Sequence, residues 1–357
     1  MSRKQHLAQG AGSSEFSRSD AGSGEFSRSN AGSYHARLRQ KKHRGHVLRT
    51  VLIVLLLAVV GGGVAFAAWV YHIQSQLNDS AVVTDALKAS LTERTAPQDP
   101  YYVLILGTDG RPGEDDYRAD TIMLVRVDPA NKHLTLLSIP RDTKVTYNGT
   151  VMKINAAHYY DGAAGMVDAV SQLCGVKISH YAEINFDGLS DITDAVGGVT
   201  VDVDEYMYDD VNFSDVVELQ PGVQTLDGAH ALFYTRCRKF ANGDFTRMRH
   251  QRTFISALVK QILSSTDLVT LTNVVSTCAE YVTTDLSVTD AVSLAYEMSG
   301  IDVDTGVYSA YVPFKEYATI DGESYVVADD EKLAEMMKVI DSGGDPSTLN
   351  DGAYGSD

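Results

Sequence analysis

The chain has 357 residues, enough for one large α/β domain with appended segments. Its composition, 44% hydrophobic and 22% charged, excludes a collagen-like, a wholly disordered or a coiled-coil protein. The net charge of −17 is unevenly distributed: residues 1–50 carry 10 Lys and Arg against 3 Asp and Glu, and the remainder carries 20 against 44. Nucleic-acid binding by this acidic remainder is disfavoured, because a phosphate backbone needs a basic surface.

The basic segment, residues 1–50, contains two Gly- and Ser-rich repeat units, AGSSEFSRSD and AGSGEFSRSN. Such units bury too little apolar surface to offset the entropy lost on ordering. We therefore predict a disordered tail.

Residues 51–70 form an apolar run without a charge. At 1.5 Å per residue, such a helix spans a hydrocarbon core of about 30 Å. No small-residue cleavage site follows Trp69, so we predict an uncleaved transmembrane helix over residues 51–71. Several Lys and Arg residues precede this helix, whereas the first Lys or Arg after it is Lys88. This asymmetry predicts a single-pass protein of the cell membrane with a cytoplasmic N-terminus.

The part after this helix is predicted to face outside. Residues 72–99 are mostly polar and are predicted to form a stalk. Residues 100–342 are predicted to form one extracytoplasmic domain, and the Gly-, Ser- and Asp-rich residues 343–357 a flexible C-terminal tail.

Apolar runs alternate with helical patterns in this domain, which predicts the α/β class: a mixed central β-sheet covered by helices on both faces, in α-β-α layers. Strands are predicted over 101–109, 121–128, 133–143, 181–185 and 199–203. Helices are predicted over 161–173, 186–197, 226–234, 244–263, 268–282 and 331–340.

The three cysteines, Cys174, Cys237 and Cys278, all lie in the outer part, where disulfides persist. They allow at most one disulfide bond, and their spacing does not select the pair.

Charged residues follow or begin the first three strands. Asp109 ends the first, Arg118 and Asp120 begin the second, and Arg141 follows the third. Ligand sites in α/β sheets favour strand ends, and carboxylates there can hold a hard cation such as Mg²⁺. A turn before Gly110 is an alternative for Asp109, and a surface ion pair between Arg118 and Asp120 explains these two residues equally well.

The outer part has ten arginines, and five of them lie between Arg236 and Arg252. Such a cluster favours recognition of phosphate or carboxylate. At 100° per residue, Asp244, Arg247 and Gln251 lie on or beside the apolar stripe of their helix and are predicted to point inward. Arg249 and His250 are predicted to point away from that stripe. Arg252 lies on the flank of the stripe, so its position does not predict whether it points inward or outward. Asp244 is also a suitable N-cap residue for this helix.

Seven separated motifs between Tyr101 and Leu263 resemble the LytR-CpsA-Psr family of membrane-anchored glycopolymer transferases. They occur in the order GTDGR, RADTIMLVRVD, LLSIPRDT, KINAA, AVGGVTVDV, LDGAHALFYTRCR and GDFTRMRHQR. One position departs from the family pattern, since His250 replaces the usual Arg before the Gln.

The resemblance implies that residues 100–342 form a catalytic domain. It would move a glycopolymer from an undecaprenyl-pyrophosphate carrier to a muramic acid 6-hydroxyl of peptidoglycan, through a phosphodiester, in a Gram-positive-type cell wall. Such chemistry needs charge neutralisation and in-line positioning. The implied partners are the polyprenyl-pyrophosphate-linked donor and the peptidoglycan acceptor.

The implied catalytic residues are Asp109, Arg118, Arg141 and Asp244. Asp109 and Asp120 would hold Mg²⁺, or Mn²⁺ in its place, and Asp244, with Asp109 second, would be the base for the incoming hydroxyl. The implied pyrophosphate-binding residues are Arg118, Arg141, Arg236, Arg238, Arg247 and Gln251.

Two alternatives remain at this stage. One is a hydrolase that releases the polymer to water, and the other is a non-catalytic membrane sensor or transcriptional attenuator. Inward-facing charges without a ligand are costly, and residues 1–50 contain no recognisable output domain, so the sensor is the weaker alternative.

Overall fold

The computed structural model describes residues 67–108, 119–240, 244–264, 268–298, 301–302 and 305–349. Asp109, Arg118, the predicted tail and most of the predicted transmembrane segment lie outside these residues, as does the end of the predicted C-terminal tail. Within the described residues, no helix is both long and apolar enough to cross a membrane.

A six-stranded mixed sheet forms the centre, in the order β11-β6-β1-β2-β3-β12. β1 runs parallel to β6 and β3 parallel to β12, whereas β2 is antiparallel to both β1 and β3. The strands of this sheet are β1 (Tyr101–Thr108), β2 (Ala119–Asp128), β3 (His133–Ile139), β6 (Ile178–Asn185), β11 (Val282–Thr284) and β12 (Val307–Tyr311).

Four two-stranded sheets surround this one and supply several of its connections. They pair β4 (Lys144–Tyr147) with β5 (Thr150–Lys153), β7 (Val199–Val203) with β10 (Gly222–Leu226), β8 (Met207–Tyr208) with β9 (Glu218–Leu219), and β13 (Phe314–Ile320) with β14 (Glu323–Ala328).

Helices cover both faces of the central sheet. They are α1 (67–77), α2 (Asp85–Ser90), α3 (Ala156–Cys174), α4 (Phe186–Ala195), α5 (Gly228–Arg236), α6 (Asp244–Ser264), α7 (Leu268–Tyr281), α8 (Val288–Glu297) and α9 (Asp330–Asp341), with a 3₁₀ turn at Pro346–Leu349. Alternate residues of β1 point to opposite faces, because side chains alternate along a strand. Leu104 packs with apolar residues of α3 and α9, whereas Val103 packs with those of α4, α5 and α6.

The predicted α/β class with a mixed central sheet is confirmed. The alternating sequence VTVDV forms β7 at its predicted bounds. α3 begins five residues before its predicted start at Asp161, and its backbone leaves helical geometry at Asp161 and Gly162, where the φ of Gly162 is +58°. The sequence analysis missed α8, β11, β12 and the strands of the small hairpins other than β7.

The segment predicted as a stalk packs against the domain. Ile73 and Leu77 of α1 are buried in a small apolar cluster with Ala279 and Val288. Gln74 Oε1 accepts a hydrogen bond from the Val288 backbone at 2.7 Å. These contacts attach the start of the described chain to α7 and α8.

All three cysteines are free thiols. Cys174 and Cys237 are buried, and Cys278 is partly buried. Burial raises the pKa of Cys174 to about 12 and that of Cys278 to about 11. Since the thiolate is the reactive form, these two thiols are poor nucleophiles at neutral pH.

We expect reduction to leave the thermal stability of the protein unchanged. A disulfide would contribute about 2–4 kcal/mol, which in a domain of this size shifts the melting temperature by several degrees. Melting with and without dithiothreitol, after purification without reductant, checks this expectation. A lower melting temperature in the reduced sample would contradict free thiols.

Candidate active site

Two arginines from different elements share the carboxylate of Asp120 at the beginning of β2. Arg141, which follows β3, pairs with Asp120 through Nη1 and Oδ1. Arg238, which follows α5, lies 3.7 Å from the other oxygen, Oδ2. Asp120 thus joins the sheet to the region after α5 and offsets the repulsion between two guanidinium groups.

A second carboxylate, that of Asp142, lies beside Arg141. Asp142 Oδ2 lies 3.9 Å from Arg141 Nε, and its Oδ1 lies 3.3 Å from Lys153 Nζ on β5. The backbone oxygen of Arg141 also accepts a hydrogen bond from Asn155 N at 3.2 Å. The position of Arg141 therefore depends on the β4–β5 hairpin as well as on Asp120.

A cavity of about 570 Å³ opens beside Asp120. Its lining residues belong to β2, α5, α6 and the segment after α5, and to residues 209–216, which connect β8 to β9. The lining residues are Asp120, Asp209, Asn212, Phe213, Ser214, Asp215, Val216, Ala229, Leu232, Arg236, Arg238, Arg247 and Gln251. A cavity of this size can enclose a charged lipid head group.

The first two turns of α6 point polar groups into this cavity, as predicted for Arg247 and Gln251. Arg247 is 1% exposed although it is a charged side chain. Gln251 accepts a hydrogen bond from Thr121 Oγ1 at 2.7 Å and donates one to the Thr235 backbone oxygen at 3.2 Å. Gln251 therefore ties α6 to both β2 and α5.

The local sequence of α5 fixes where its C-terminal arginine lies. Asp227 caps the helix by accepting from His230 N at 3.0 Å. Gly228 approaches α4 so closely that a Cβ atom would lie 2.5 Å from the Ser190 backbone oxygen. Because only glycine fits there, α5 packs tightly on α4, and its last residue, Arg236, reaches the cavity.

The side chains of three predicted site residues are not among those that the structure describes. Asp109 and Arg118 lie outside the described residues, and of Asp244 only the backbone is described, as the first residue of α6. Asp109 follows directly on Thr108, whose hydroxyl donates to the buried carboxylate of Glu183 at 3.1 Å. The structure thus brings together Asp120, Arg141 and Arg238 by direct contact, and Arg236, Arg247 and Gln251 around the same cavity.

Asp209, a residue that the sequence analysis missed, holds the turn of residues 209–212 beside the cavity. Its carboxylate accepts hydrogen bonds from Val211 N, from the backbone of Asn212 and from its side-chain amide, at 2.7 to 3.1 Å. Lys239 Nζ lies 3.2 Å away. The Asn212 side chain, followed by these other donors, lowers the pKa of Asp209 to about 2. A run of Asp, Asn and Ser after a strand is the signal that could have indicated this turn.

The family model of the LytR_cpsA_psr family matches residues 68–341. This chain belongs to that family. The LytR_cpsA_psr resemblance predicted from the seven motifs is therefore confirmed.

Individual relatives agree with this membership. The polyisoprenyl-teichoic acid–peptidoglycan teichoic acid transferase TagU of Bacillus anthracis is 32% identical over 251 residues, 68% of this chain and 79% of TagU. The crystal structure of B. subtilis TagV is 28% identical, with a TM-score of 0.62 over 70% of this chain and 98% of TagV. A structure of TagT bound to LIIa-WTA is 27% identical, with a TM-score of 0.58 over 71% of this chain and 96% of TagT.

The prediction that His250 points away from the packed face is wrong for this LytR_cpsA_psr protein. His250 is fully buried, and its ring stacks on Tyr234 with centroids 4.5 Å apart. Its Nε2 lies 3.0 Å from Asp204 Oδ1, just after β7. The helical projection failed because α6 packs against both α5 and β7, so its buried surface is wider than the apolar stripe.

Arg249 does lie on the outer side of α6, as predicted, but it is not simply solvated. Its Nη2 lies 2.6 Å from Asp204 Oδ2 and 3.2 Å from Glu205 Oε1. Asp204, Glu205 and His250 could offer three metal ligands within 4.8 Å of one another. Because Arg249 already neutralises both carboxylates, this cluster is better explained as an ion-pair network.

We expect His250 to make the protein less stable in mild acid. Burial lowers its pKa below the usual 6.5, so the folded state resists protonation. The stability that depends on neutral His250 is complete above pH 6.5, the value in the unfolded chain, and is lost as the pH falls through the lower folded-state pKa.

Urea unfolding of the natural chain and of His250→Phe, between pH 8 and 5.5, tests this expectation. Phe keeps an aromatic ring against Tyr234 but does not titrate. The free energy of unfolding of the natural chain should fall relative to that of the variant as the pH decreases. A constant difference, or one that grows in acid, would contradict a buried neutral His250.

Proposed function

We propose that this chain transfers a glycopolymer from a polyisoprenyl-pyrophosphate carrier to the muramic acid 6-hydroxyl of peptidoglycan. The observation that carries this proposal is the cavity that Arg236, Arg238 and Arg247 line together with Asp120. Guanidinium groups bind phosphate oxygens with paired, charge-assisted hydrogen bonds. The names of the TagU relatives, which transfer teichoic acid to peptidoglycan, support this choice of donor and acceptor.

The proposed reaction is a displacement at phosphorus. The acceptor hydroxyl oxygen attacks the phosphorus that carries the sugar, and the bond from that phosphorus to the bridging oxygen breaks. The polyprenyl phosphate leaves with the bonding electron pair, and the sugar phosphate becomes a phosphodiester of the acceptor. The hydroxyl proton passes to a carboxylate base, for which Asp244 is our first candidate and Asp109 our second.

The arginines would act by neutralising charge and holding the reacting groups in line. Arg141 and Arg238 pair with Asp120, so a pyrophosphate in this cavity would compete with that carboxylate for their N–H groups. Arg247 is buried, and its charge is therefore weakly screened by water. Arg236 lines the same cavity and would also bind the pyrophosphate. Arg118 is included in the proposed set because it begins the motif RADTIMLVRVD.

Asp120, together with Asp109, would hold Mg²⁺, or Mn²⁺ in its place. Asp120 lines the cavity, and Mg²⁺ commonly binds one or two carboxylates while substrate phosphates and water complete its shell. Because Asp120 also pairs with Arg141 and Arg238, such an ion would compete with these two guanidinium groups for its oxygens. When bound, it would neutralise charge that develops on the pyrophosphate oxygens.

We further propose that the chain is anchored by residues 51–71, with a cytoplasmic N-terminus and the domain in the cell envelope of a Gram-positive-type bacterium. The uncharged run of residues 51–70 and the bases before it support this orientation. The proposed donor is a membrane lipid, so such an anchor would keep the enzyme beside its substrate.

Substitution of Arg247 on α6 and of Arg141 after β3 tests the proposed site. We expect Arg247→Ala to reduce polymer release from a polyprenyl-pyrophosphate donor by about 100-fold or more, because a buried charge that stabilises the reacting phosphate is lost. Arg141→Ala should have a similar effect. Release is measured with the full chain in detergent micelles, with Mg²⁺ and peptidoglycan.

Arg249→Ala is the matched control. It removes the same side chain two positions along the same helix, but Arg249 pairs with Asp204 and Glu205 outside the cavity. Its activity should stay within about twofold of the natural chain. Equal losses of polymer release in Arg247→Ala, Arg141→Ala and Arg249→Ala would contradict the proposed site. Unchanged release in all three variants would contradict it as well. Polymer attached covalently to peptidoglycan identifies a transferase, whereas polymer released only to water identifies a hydrolase.

A further inference from the structure

A β-bulge at the beginning of β2 determines where the Asp120 side chain points. Gly107 of β1 pairs with Thr121, whereas Thr108 pairs with Ala119, so Asp120 is an extra residue on β2. Side chains alternate between the two faces of a strand, and an extra residue shifts this alternation for the residues on its far side. The bulge thus decides which face of the sheet receives Asp120.

The burial of β2 shows this shift. After the bulge, even-numbered residues such as Ile122 pack with α3 and α9, and odd-numbered ones such as Met123 pack with α4, α5 and α6. Unbroken alternation would point Asp120 toward α3 and Ala119 toward α6. Instead, Ala119 is fully buried in the cluster that contains α3. Asp120 reaches Arg238 and lines the cavity with residues of α5 and α6. The bulge therefore turns the carboxylate toward the arginines.

Few contacts hold the bulge on the β1 side. Within the described residues, Thr108–Ala119 is the only pair of β1 and β2 beyond the bulge. On its other side, Thr108 pairs with Asn185 of β6, and its hydroxyl donates a hydrogen bond to Glu183 at 3.1 Å. Thr108 is only 2% exposed, so water does not replace this bond. The position of Thr108, and with it the bulge, depends on Glu183.

Glu183 is a buried acid that the proposed reaction does not use directly. It is 6% exposed on β6. The hydroxyl of Tyr181 donates to its Oε2 at 2.7 Å, and Nε2 of His158 on α3 lies 3.5 Å from the same oxygen. Removing a carboxylate from water is costly, and apolar residues often replace buried charges without loss of stability. The position that Glu183 gives to Thr108 explains this acid better than stability does.

We propose that Glu183 is a positioning residue of the active site. Its carboxylate holds Thr108 at the bulge, and the bulge presents Asp120 to Arg141 and Arg238. This inference rests on the function proposed above and adds to it a group that acts through Asp120 rather than on the substrate.

The variant Thr108→Val tests this inference, because it keeps a β-branched side chain and removes the hydroxyl. The kcat of polymer release from a polyprenyl-pyrophosphate donor should fall about tenfold or more, since a small displacement of Asp120 moves the guanidinium groups paired with it. Thr108→Ser restores the hydroxyl and should keep kcat within about twofold of the natural value. Release is measured with the full chain in detergent micelles, with Mg²⁺ and peptidoglycan.

Thr193→Val is the matched control. Thr193 is also fully buried, and its hydroxyl donates to the Leu189 backbone oxygen of α4 at 2.6 Å. Each Val variant loses one buried hydrogen bond, so both melting temperatures should fall by a similar amount. Only Thr108→Val should lower kcat, and Thr193→Val should stay within about twofold of the natural chain.

A second variant separates the bond from the residue. Glu183→Leu should lower kcat as much as Thr108→Val does. The double variant should lose no more activity than either single one, because both substitutions remove the same hydrogen bond. A crystal structure of Thr108→Val should show the Asp120 carboxylate displaced from Arg141 and Arg238.

The outcomes distinguish this inference from the proposed function. Unchanged kcat in Thr108→Val, a loss that Thr108→Ser does not restore, or an equal loss in Thr193→Val would overturn the positioning role and leave the transferase assignment intact. Unchanged contacts of Asp120 in the crystal structure of Thr108→Val would overturn it as well. No release by the natural chain would overturn the proposed function, and that crystal structure would still test the bulge.

Discussion

Three guanidinium groups around one cavity repel each other, and this repulsion is the constraint on which the site depends. The carboxylate of Asp120 offsets part of this repulsion, because it pairs with Arg238, one of the three, and also with Arg141, which follows β3. Asp142 and Lys153 extend this ion-pair chain to the β4–β5 hairpin. Such a network keeps positive charge concentrated without a ligand and leaves it available to an anion that offers more oxygen atoms than one carboxylate does.

The surrounding fold determines how far each arginine of α6 is exposed to water. α6 is packed between α5 and β7, and for that reason Arg247 is buried, whereas Arg249, on the same helix, reaches Asp204 and Glu205 at the surface. Gln251 links α6 to β2 and to α5, so the helix cannot move relative to the sheet without breaking hydrogen bonds. A site rigid in this sense is ready for its ligand before the ligand binds.

Much of this arrangement could be predicted from local sequence pattern. The alternation of VTVDV is a local property, and it predicts β7; the angular positions of Arg247 and Gln251 follow from helical geometry alone. Local pattern does not show which distant residues share a site. The seven motifs supply this information, because together they predict that residues far apart in the sequence belong to one site. Roles that rest on Asp109, Arg118 and the Asp244 side chain remain predictions.

Other features could not be predicted because they depend on contacts between distant segments. The burial of His250 results from Tyr234 and Asp204, which a projection of one helix does not include. β12 pairs in parallel with β3, although a long stretch of chain separates them. β8 and β9 have two residues each, too few for a periodic pattern, so the hairpin that carries residues 209–216 was missed as well.

A structure of the full chain with a polyprenyl-pyrophosphate-linked sugar bound would test the central claim most directly. The account predicts both phosphate groups in the cavity beside Asp120, with oxygen atoms about 3 Å from guanidinium nitrogens of Arg236, Arg238 or Arg247. Phosphate groups bound elsewhere would contradict it, for example in the groove of about 700 Å³ lined by Arg94, His180 and Asp285.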